Sequence, residues 1–153
     1  MKKLPKNNDL YQVYFFTCPA HIPFHFAIHS WIVTVKNNEI HRWEIIHRKY
    51  NNKEHFGYVY KNFYTNPTQG IKKYSLSSEY WNATLLGSIS GDEKSLAKQV
   101  VDFIEEMTLF YPYQENYSLY PGPNSNTYVA WIIKKFPELK IKLPWNAFGK
   151  NYE

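Results

Sequence analysis

The stretch FHFAIHSWIVTVKNNEIHRWEIIHRK, residues 24–49, has the pattern of two neighbouring strands joined by a tight turn. Residues 24–36 are rich in β-branched and aromatic side chains and are apolar on both faces, which predicts a central strand. The residues KNNE at 36–39 are a turn signal, and residues 40–49 predict a second strand. The stretch therefore predicts an antiparallel hairpin at the centre of a sheet.

The length of this turn decides which side chains share a face of the hairpin. A two-residue turn at Asn37 and Asn38 places Glu44 diagonal to His29 on one face, about 5–8 Å away. A three-residue loop would reverse the parity and bring His41 to that face instead. The sequence leaves both registers open.

The remaining elements predict an α+β fold, in which helices pack on an antiparallel sheet. Further strands are predicted at residues 10–17, 55–64 and 83–90. A helix is predicted near residues 91–110, with Asp92 and Glu93 in its first turn. Its apolar face is predicted to comprise Leu96, Val100, Phe103, Ile104 and Met107.

A second helix is predicted from about Ser125 to about Lys135, followed by an ordered tail. The tail is predicted to be anchored by Leu143, Trp145 and Phe148. Residues 1–153 contain no evident linker or repeat, so we expect a single domain.

Composition and charge exclude several classes of protein. The 153 residues are 44% hydrophobic and 19% aromatic, so the chain can bury a core. The net charge of +5 comes from scattered lysines without a nucleic-acid motif, which predicts no nucleic-acid partner. The apolar runs are too short to cross a bilayer, so we expect no integral membrane segment.

The single cysteine, Cys18, cannot form an internal disulfide, and the first residues do not resemble a signal peptide. Both observations favour a cytoplasmic protein, with a secreted effector that lacks a standard signal as the alternative. The sequence leaves the oligomeric state open. We interpret Cys18 as a buried apolar residue, with a nucleophilic thiol near His21 as the alternative.

The stretch YPGPNSNTYVAWIIKKFP, residues 120–137, places an Asn-Ser-Asn triplet at the predicted start of the second helix. Asn124 is a suitable N-cap, so Ser125 would be the first helical residue, beside unpaired backbone N–H groups. The triplet has two interpretations. It caps the helix, or Ser125 is a nucleophile whose neighbouring N–H groups bind a developing oxyanion.

A nucleophilic serine needs a base, and His29 is the candidate, although it equally suits a hydrogen-bonded core position. Glu44 would orient the imidazole and stabilise its cation, or would simply form an ion pair with Arg42. His21, His25 and His29 recur every four residues, as metal ligands on a helix would. Nearby prolines oppose a helix there and no second ligand cluster follows, so we expect neither a metal nor a cofactor.

Several motifs resemble those of one bacterial family that is described only as a domain of unknown function. The resemblance covers most of the chain except about 50–90. Ser30, Tyr128, Phe148 and Asn151 depart mildly from its pattern. The matching motifs are HSWI (29–32) to H-P-W-I, RWEI (42–45) to R-Y-E-V, YPY (111–113) to Y-P-Y, PGPNSNTY (121–128) to P-G-P-N-S-N-T-F, and LPWNAFGKNY (143–152) to L-P-x-x-A-I-G-K-D-Y.

A more distant similarity is to circularly permuted papain-like proteins, which include lecithin:retinol acyltransferases and desumoylating isopeptidases. These proteins place a strand histidine first and an N-C-N or N-C-E nucleophile triplet at a later helix start. His29 and Ser125 stand in the corresponding places, so the resemblance implies a permuted papain-like fold. Serine replaces cysteine here, which implies either a serine-type enzyme or a fold that has lost catalysis.

Two functions are therefore expected. The first is a hydrolase or acyltransferase acting on an amide or ester of a small-molecule, lipid or peptide substrate. The second is a non-catalytic module that binds a peptide, glycan or lipid on the same scaffold, with Tyr120 and Trp131 among its possible contacts. The residues expected to serve the enzyme are Ser125, His29 and Glu44 in catalysis, and Asn124, Asn126, Tyr111, Tyr113 and Trp31 in substrate binding.

Overall fold

The predicted hairpin lies within a five-stranded antiparallel sheet. The computed structural model describes residues 10–46, 48–50, 53–55 and 58–153. The strands are β1 (Tyr11–Pro19), β2 (Ile28–Lys36), β3 (Glu39–Ile45), β4 (Arg48–Tyr50), β5 (Lys53–His55), β6 (Val59–Lys61) and β7 (Thr84–Gly91). The large sheet has the order β6-β3-β2-β1-β7, and β4 pairs with β5 in a separate two-stranded sheet. The α+β class and the antiparallel sheet are confirmed.

The turn between β2 and β3 has two residues, as one of the two registers requires. Asn37 and Asn38 have φ angles of 51° and 63°, the left-handed conformation that asparagine tolerates and that this turn type needs. Lys36 therefore pairs with Glu39. His41 pairs with Thr34, so the register that would bring His41 to the His29 face is excluded.

Helices α1 (Leu96–Met107) and α2 (Ser125–Lys135) pack on one face of the sheet. Helix α1 lies against β1 and β7, and α2 lies against β2 and β3. This face carries the larger core, because alternate residues of each strand point toward the helices. Its fully buried members include Val13, Phe15, Ile32, Val100, Val101, Ile104, Tyr128, Val129 and Ile132.

The opposite face of the sheet is covered by the chain between β6 and β7. A smaller core forms there from Phe16, Cys18, Trp31, Val33 and Ile71, with Trp81 packed against it. His29 belongs to this face by strand parity, whereas Ser30 points toward the helices. The start of β2 therefore presents side chains to both layers.

Several boundaries differ from the sequence predictions. The central strand begins at Ile28, and the strand predicted for 40–49 ends at Ile45 before a new one begins. Within the strand predicted for 55–64, His55 ends β5 and Val59–Lys61 form β6, and residues 47, 51–52 and 56–57 lie outside the described chain. In the described part of the chain, no helix has both the length and the apolarity to cross a membrane.

The first helix also begins later than expected, because Ser95 is its N-cap and accepts a hydrogen bond from the Lys98 N–H. Asp92 and Glu93 therefore precede the helix, and their predicted place in its first turn is wrong. In the tail, Trp145 is 80% exposed and does not anchor the chain. Leu139 and Ala147 are buried instead, while Leu143 and Phe148 are half-buried.

Candidate active site

The Asn-Ser-Asn triplet begins α2 and forms a reciprocal cap. The Asn124 side chain accepts a hydrogen bond from the Asn126 N–H at 2.9 Å. In return, the Thr127 hydroxyl accepts one from the Asn124 N–H at 3.0 Å, which completes a capping box. The capping interpretation of Asn124 is therefore confirmed, and Ser125 is the first helical residue.

The amide of Asn126 joins α2 to the sheet and to the C-terminal tail. Its oxygen accepts a hydrogen bond from the Ser30 hydroxyl at 2.8 Å. Its nitrogen donates to the carbonyls of Ile28 and Phe148, both at 2.9 Å. Because Ile28 and Ser30 flank His29, these bonds hold the start of α2 against the strand segment that carries the histidine.

The side-chain amide of Asn124 is also hydrogen-bonded to backbone carbonyls. Its nitrogen donates to the carbonyls of Ser118 and Leu119 at 3.3 and 3.2 Å. Gly149 lies so close that an added Cβ would stand 2.5 Å from the Asn124 amide nitrogen. The two asparagines are therefore structural, although both line the candidate site.

Ser125 differs from the asparagines on either side of it. It is only 5% exposed, yet the hydrogen bonds found among the described residues include none from its hydroxyl or its backbone N–H. The N–H is one of the unpaired donors at the positive end of the helix. The side chains of Asn124 and Thr127 form the cap, and the Ser125 hydroxyl takes no part in it.

His29 is held by Glu44, as the two-residue turn predicts. The His29 Nε2 and Glu44 Oε2 atoms are 2.8 Å apart. Glu44 is fully buried, which by itself would raise its carboxyl pKa, but the hydrogen bond from His29 and the charge of Arg42 outweigh burial and lower the pKa. The carboxylate therefore stays ionised beneath the imidazole.

Arg42 supplies the opposite charge, so Glu44 both orients His29 and forms the ion pair offered as its alternative role. The Arg42 Nη2 donates to Glu44 Oε2 at 2.8 Å, and Arg42 Nε lies 2.6 Å from Glu44 Oε1. Both side chains are fully buried. The Nη2 hydrogen bond and the close Nε therefore hold the Glu44 carboxylate beside a buried cation.

The guanidinium of Arg42 is itself enclosed on all sides. Its carbon lies 4.2 Å from the centre of the Trp31 ring and 4.7 Å from that of the Tyr64 ring. Its Nη1 donates to the carbonyls of Asn66 and Gln69. Cation–π contacts and charge-assisted hydrogen bonds thus compensate for the lost hydration of a buried cation.

A cavity of about 350 Å³ brings Ser125 and His29 to one surface. Ser125 and the two asparagines line it from the helix side, and His29 lines it from the strand side. The rest of the lining is largely apolar and includes Ala20, Phe24, Phe26, Ala27, Ile28, Ile71, Tyr117, Leu119, Tyr120 and Phe148.

Three residues expected to contact substrate, Trp31, Tyr111 and Tyr113, do not line this cavity. Trp31 is fully buried and stacks on Phe16, with ring centres 5.6 Å apart. Tyr111 is buried in the larger core, and Tyr113 lines a small separate cavity. Aromatic residue type alone did not distinguish core from cleft.

The sequence did not predict the apolar lining of the cavity, although one feature of the sequence indicates it. Phe24 and Phe26 alternate just before β2, where apolar side chains continue beyond the last paired residue. Tyr120, which was expected for a binding module, does line the cavity, whereas Trp131 packs against the larger core.

The thiol of Cys18 is buried, and this burial raises its pKa to about 12. A protonated thiol is a poor nucleophile, which favours the interpretation of Cys18 as an apolar core residue. Within residues 10–46, 48–50, 53–55 and 58–153, no three metal-binding side chains are grouped as a metal ion requires. The four-residue spacing of His21, His25 and His29 is therefore not accompanied by a group of metal-binding side chains among the described residues.

Residues 10–152 match the model of a family described as "Protein of unknown function (DUF3750)". The match covers nearly the whole chain, so the chain belongs to this family. No curated protein and no solved structure matches it.

Proposed function

We propose that this member of the DUF3750 family is a serine-dependent hydrolase or acyltransferase acting on an amide or ester. Ser125 is the nucleophile, His29 the general base and Glu44 the group that orients the base. One observation carries the proposal. The His29 Nε2 is held by the buried, ionised Glu44, while the same imidazole lines the cavity that contains the unbonded Ser125 hydroxyl.

The hydrogen bond to Glu44 assigns roles to the two ring nitrogens. With Nε2–H donated to the carboxylate, Nδ1 keeps its lone pair and accepts the Ser125 proton. The Ser125 oxygen then bonds to the substrate carbonyl carbon, and the carbonyl oxygen becomes an oxyanion that accepts a hydrogen bond from the Ser125 N–H. Glu44 stabilises the imidazolium that results.

The tetrahedral intermediate collapses when its bond to the leaving alcohol or amine breaks and His29 returns the proton to that group. The product is an acyl ester of Ser125. In a hydrolase, water attacks this ester with His29 as base. In an acyltransferase, the hydroxyl or amine of an acceptor takes the place of water.

The same chain order supports a circularly permuted papain-like arrangement as part of the proposal. A histidine on a central strand precedes a nucleophile at a helix start, and the bonds of Asn126 hold those two segments together. A cytoplasmic location stays a prediction that rests on the single cysteine of the sequence.

Labelling with a broad fluorophosphonate probe tests the proposed function. We expect the full-length protein to be labelled, and Ser125→Ala to abolish labelling. Ser90→Ala, which changes an exposed serine on β7, is the matched control and should label at the wild-type rate. A folded wild-type protein that neither labels nor turns over amide or ester substrates would favour the non-catalytic binding module.

A further inference from the structure

Among the described residues that line the cavity beside Ser125, none is a lysine, an arginine, an aspartate or a glutamate. Its polar residues are Ser125, the two asparagines, two histidines and the two tyrosines Tyr117 and Tyr120. The asparagine amides already bond to backbone carbonyls and to Ser30. A buried charge without a partner is costly, so the part of the substrate that fills this cavity is uncharged.

The same argument disfavours a peptide as the occupant. Each peptide unit brings an N–H and a C=O that must find partners when they leave water. The amides of Asn124 and Asn126 are committed to the protein's own backbone, and the remaining walls are mainly hydrocarbon and aromatic rings. A chain of methylene groups requires no such partners.

The size of the cavity limits the length of that chain. Its volume of about 350 Å³ lies in the range of small-ligand pockets. If a methylene group needs roughly the 30 Å³ that a water molecule occupies in the liquid, the cavity holds on the order of ten carbons.

Aromatic rings border the cavity and form what we define as the aromatic rim: Phe24, Phe26, Tyr120 and Phe148, which line the cavity, and Trp145, which packs beside Phe148. Tyr120 is 75% exposed and Phe26 is 61% exposed. The ring of Phe148 lies 6.0–6.5 Å from those of Phe26, Tyr120 and Trp145, so the rim is continuous. Exposed apolar patches of this kind mark binding surfaces, and this one leads into the cavity.

We infer that the cavity is an acyl-chain site, and that the substrate is an ester or amide of an aliphatic carboxylic acid with a chain of about ten carbons. The inference rests on the proposed function, because it places the substrate carbonyl at Ser125 and the aliphatic chain in the cavity. The alcohol or amine portion leaves through the aromatic rim. Selectivity then depends on the acyl group and little on the leaving group.

Binding to Ser125→Ala tests the acyl site without any turnover. The probe is a fluorescent fatty acid ester, displaced by methyl esters of butanoic, hexanoic, octanoic and decanoic acids. We expect affinity to rise about two- to fourfold for each added methylene group, as burial of a CH₂ predicts. A flat series, or stronger displacement by an uncharged hydrophobic tripeptide than by methyl decanoate, would overturn the inference.

Ala27→Phe places a larger side chain in the lining and tests where the chain lies. In the Ser125→Ala background, it should weaken binding of methyl decanoate at least tenfold more than binding of methyl butanoate. Ser88→Phe puts the same side chain on exposed β7 and should change neither. Equal effects of Ala27→Phe on both esters would contradict a chain inside the cavity.

The two proposals fail in different ways. Fluorophosphonate labelling of wild-type protein without any ester binding by Ser125→Ala would remove the acyl site and leave the enzyme. Chain-length-dependent binding without labelling would keep the acyl site and remove the proposed catalysis.

Discussion

Among single residues, Glu44 has two roles that substitutions can test: it stabilises the His29 imidazolium, and it is the counter-ion of Arg42. Glu44→Gln removes the charge that stabilises the His29 imidazolium, so labelling of Ser125 by the fluorophosphonate should be slower. It also leaves the Arg42 guanidinium buried without its counter-ion, which should lower the free energy of unfolding by about 3–5 kcal/mol. Labelling rates and urea denaturation of the folded variant measure the two effects.

A double variant is the control for that prediction. Arg42→Met together with Glu44→Gln removes both charges, so much of the lost stability should return while labelling stays slow. Recovery of both stability and labelling rate would show that Glu44 acts through the fold alone. A wild-type labelling rate in the single variant would exclude Glu44 from the catalytic group.

The depressed pKa of the Glu44 carboxyl also predicts a pH dependence of stability. Because the folded pKa lies below the ordinary value of 4.5, ionised Glu44 stabilises the fold above that pH. This contribution should be lost as the pH falls below about 4.5, through the folded pKa. Other carboxylates titrate there too, so the measurement is the difference in unfolding free energy between wild type and the double variant from pH 7 to 3. A difference that does not change with pH would contradict the prediction.

The positions of Glu44 and His29 could be predicted from the sequence, whereas the surroundings of Arg42 could not. Glu44 and His29 lie on adjacent strands, so turn length and the two-residue period sufficed to bring them together. The Arg42 enclosure depends on Tyr64 and on carbonyls of residues 66 and 69, which lie on an irregular segment without periodicity. Such tertiary contacts leave no local signal in the chain.

At the scale of elements, the tail supports the start of α2. Gly149 has a φ of 89°, and its carbonyl accepts a hydrogen bond from the Thr127 hydroxyl at 2.7 Å. Gly149→Ala would strain the backbone and drive a Cβ into Asn124. We expect a loss of unfolding free energy of at least about 1–2 kcal/mol, and slower labelling of Ser125 because its N-cap shifts.

Asn151→Ala serves as the control in the same tail, since Asn151 is exposed. It should leave the urea midpoint and the labelling rate unchanged. If Gly149→Ala behaves like Asn151→Ala in both assays, the tail does not support the N-cap as proposed.

Helix ends show why element boundaries were only partly predictable. At α2, proline, asparagine and threonine all favour the same start, and the predicted cap is confirmed. Before α1, Asp92 accepts a hydrogen bond from the Lys94 N–H in a turn, and the N-cap is Ser95, which accepts one from the Lys98 N–H. Acidic residues suit a turn before a helix as well as its first turn, so the sequence alone did not separate them.

At the scale of the whole molecule, one sheet separates two cores and also positions the candidate site. The alternation of side chains along a strand predicted which residues of β2 face each side of the sheet. Residue type, in contrast, did not predict which side chains are exposed at two other positions. Trp145 is apolar yet belongs to the exposed aromatic rim, whereas the charged Arg42 is fully buried. Charged side chains are usually exposed and aromatic rings are usually buried. Arg42 and Trp145 both depart from this rule, and both lie at or beside the candidate site.

The shared sheet predicts that the two cores unfold together, which also tests the expected single domain. Trp43 lies in the larger core and Trp31 in the smaller one, on strands that pair with each other. Losing either core exposes one face of β2 and β3, so neither face should persist alone, and we expect a two-state transition in urea. Trp31→Phe and Trp43→Phe variants, followed by fluorescence and far-UV circular dichroism, should each give coincident curves for the two probes. Separate midpoints for fluorescence and circular dichroism within one variant would mean that a core melts independently and that the chain is not a single cooperative unit.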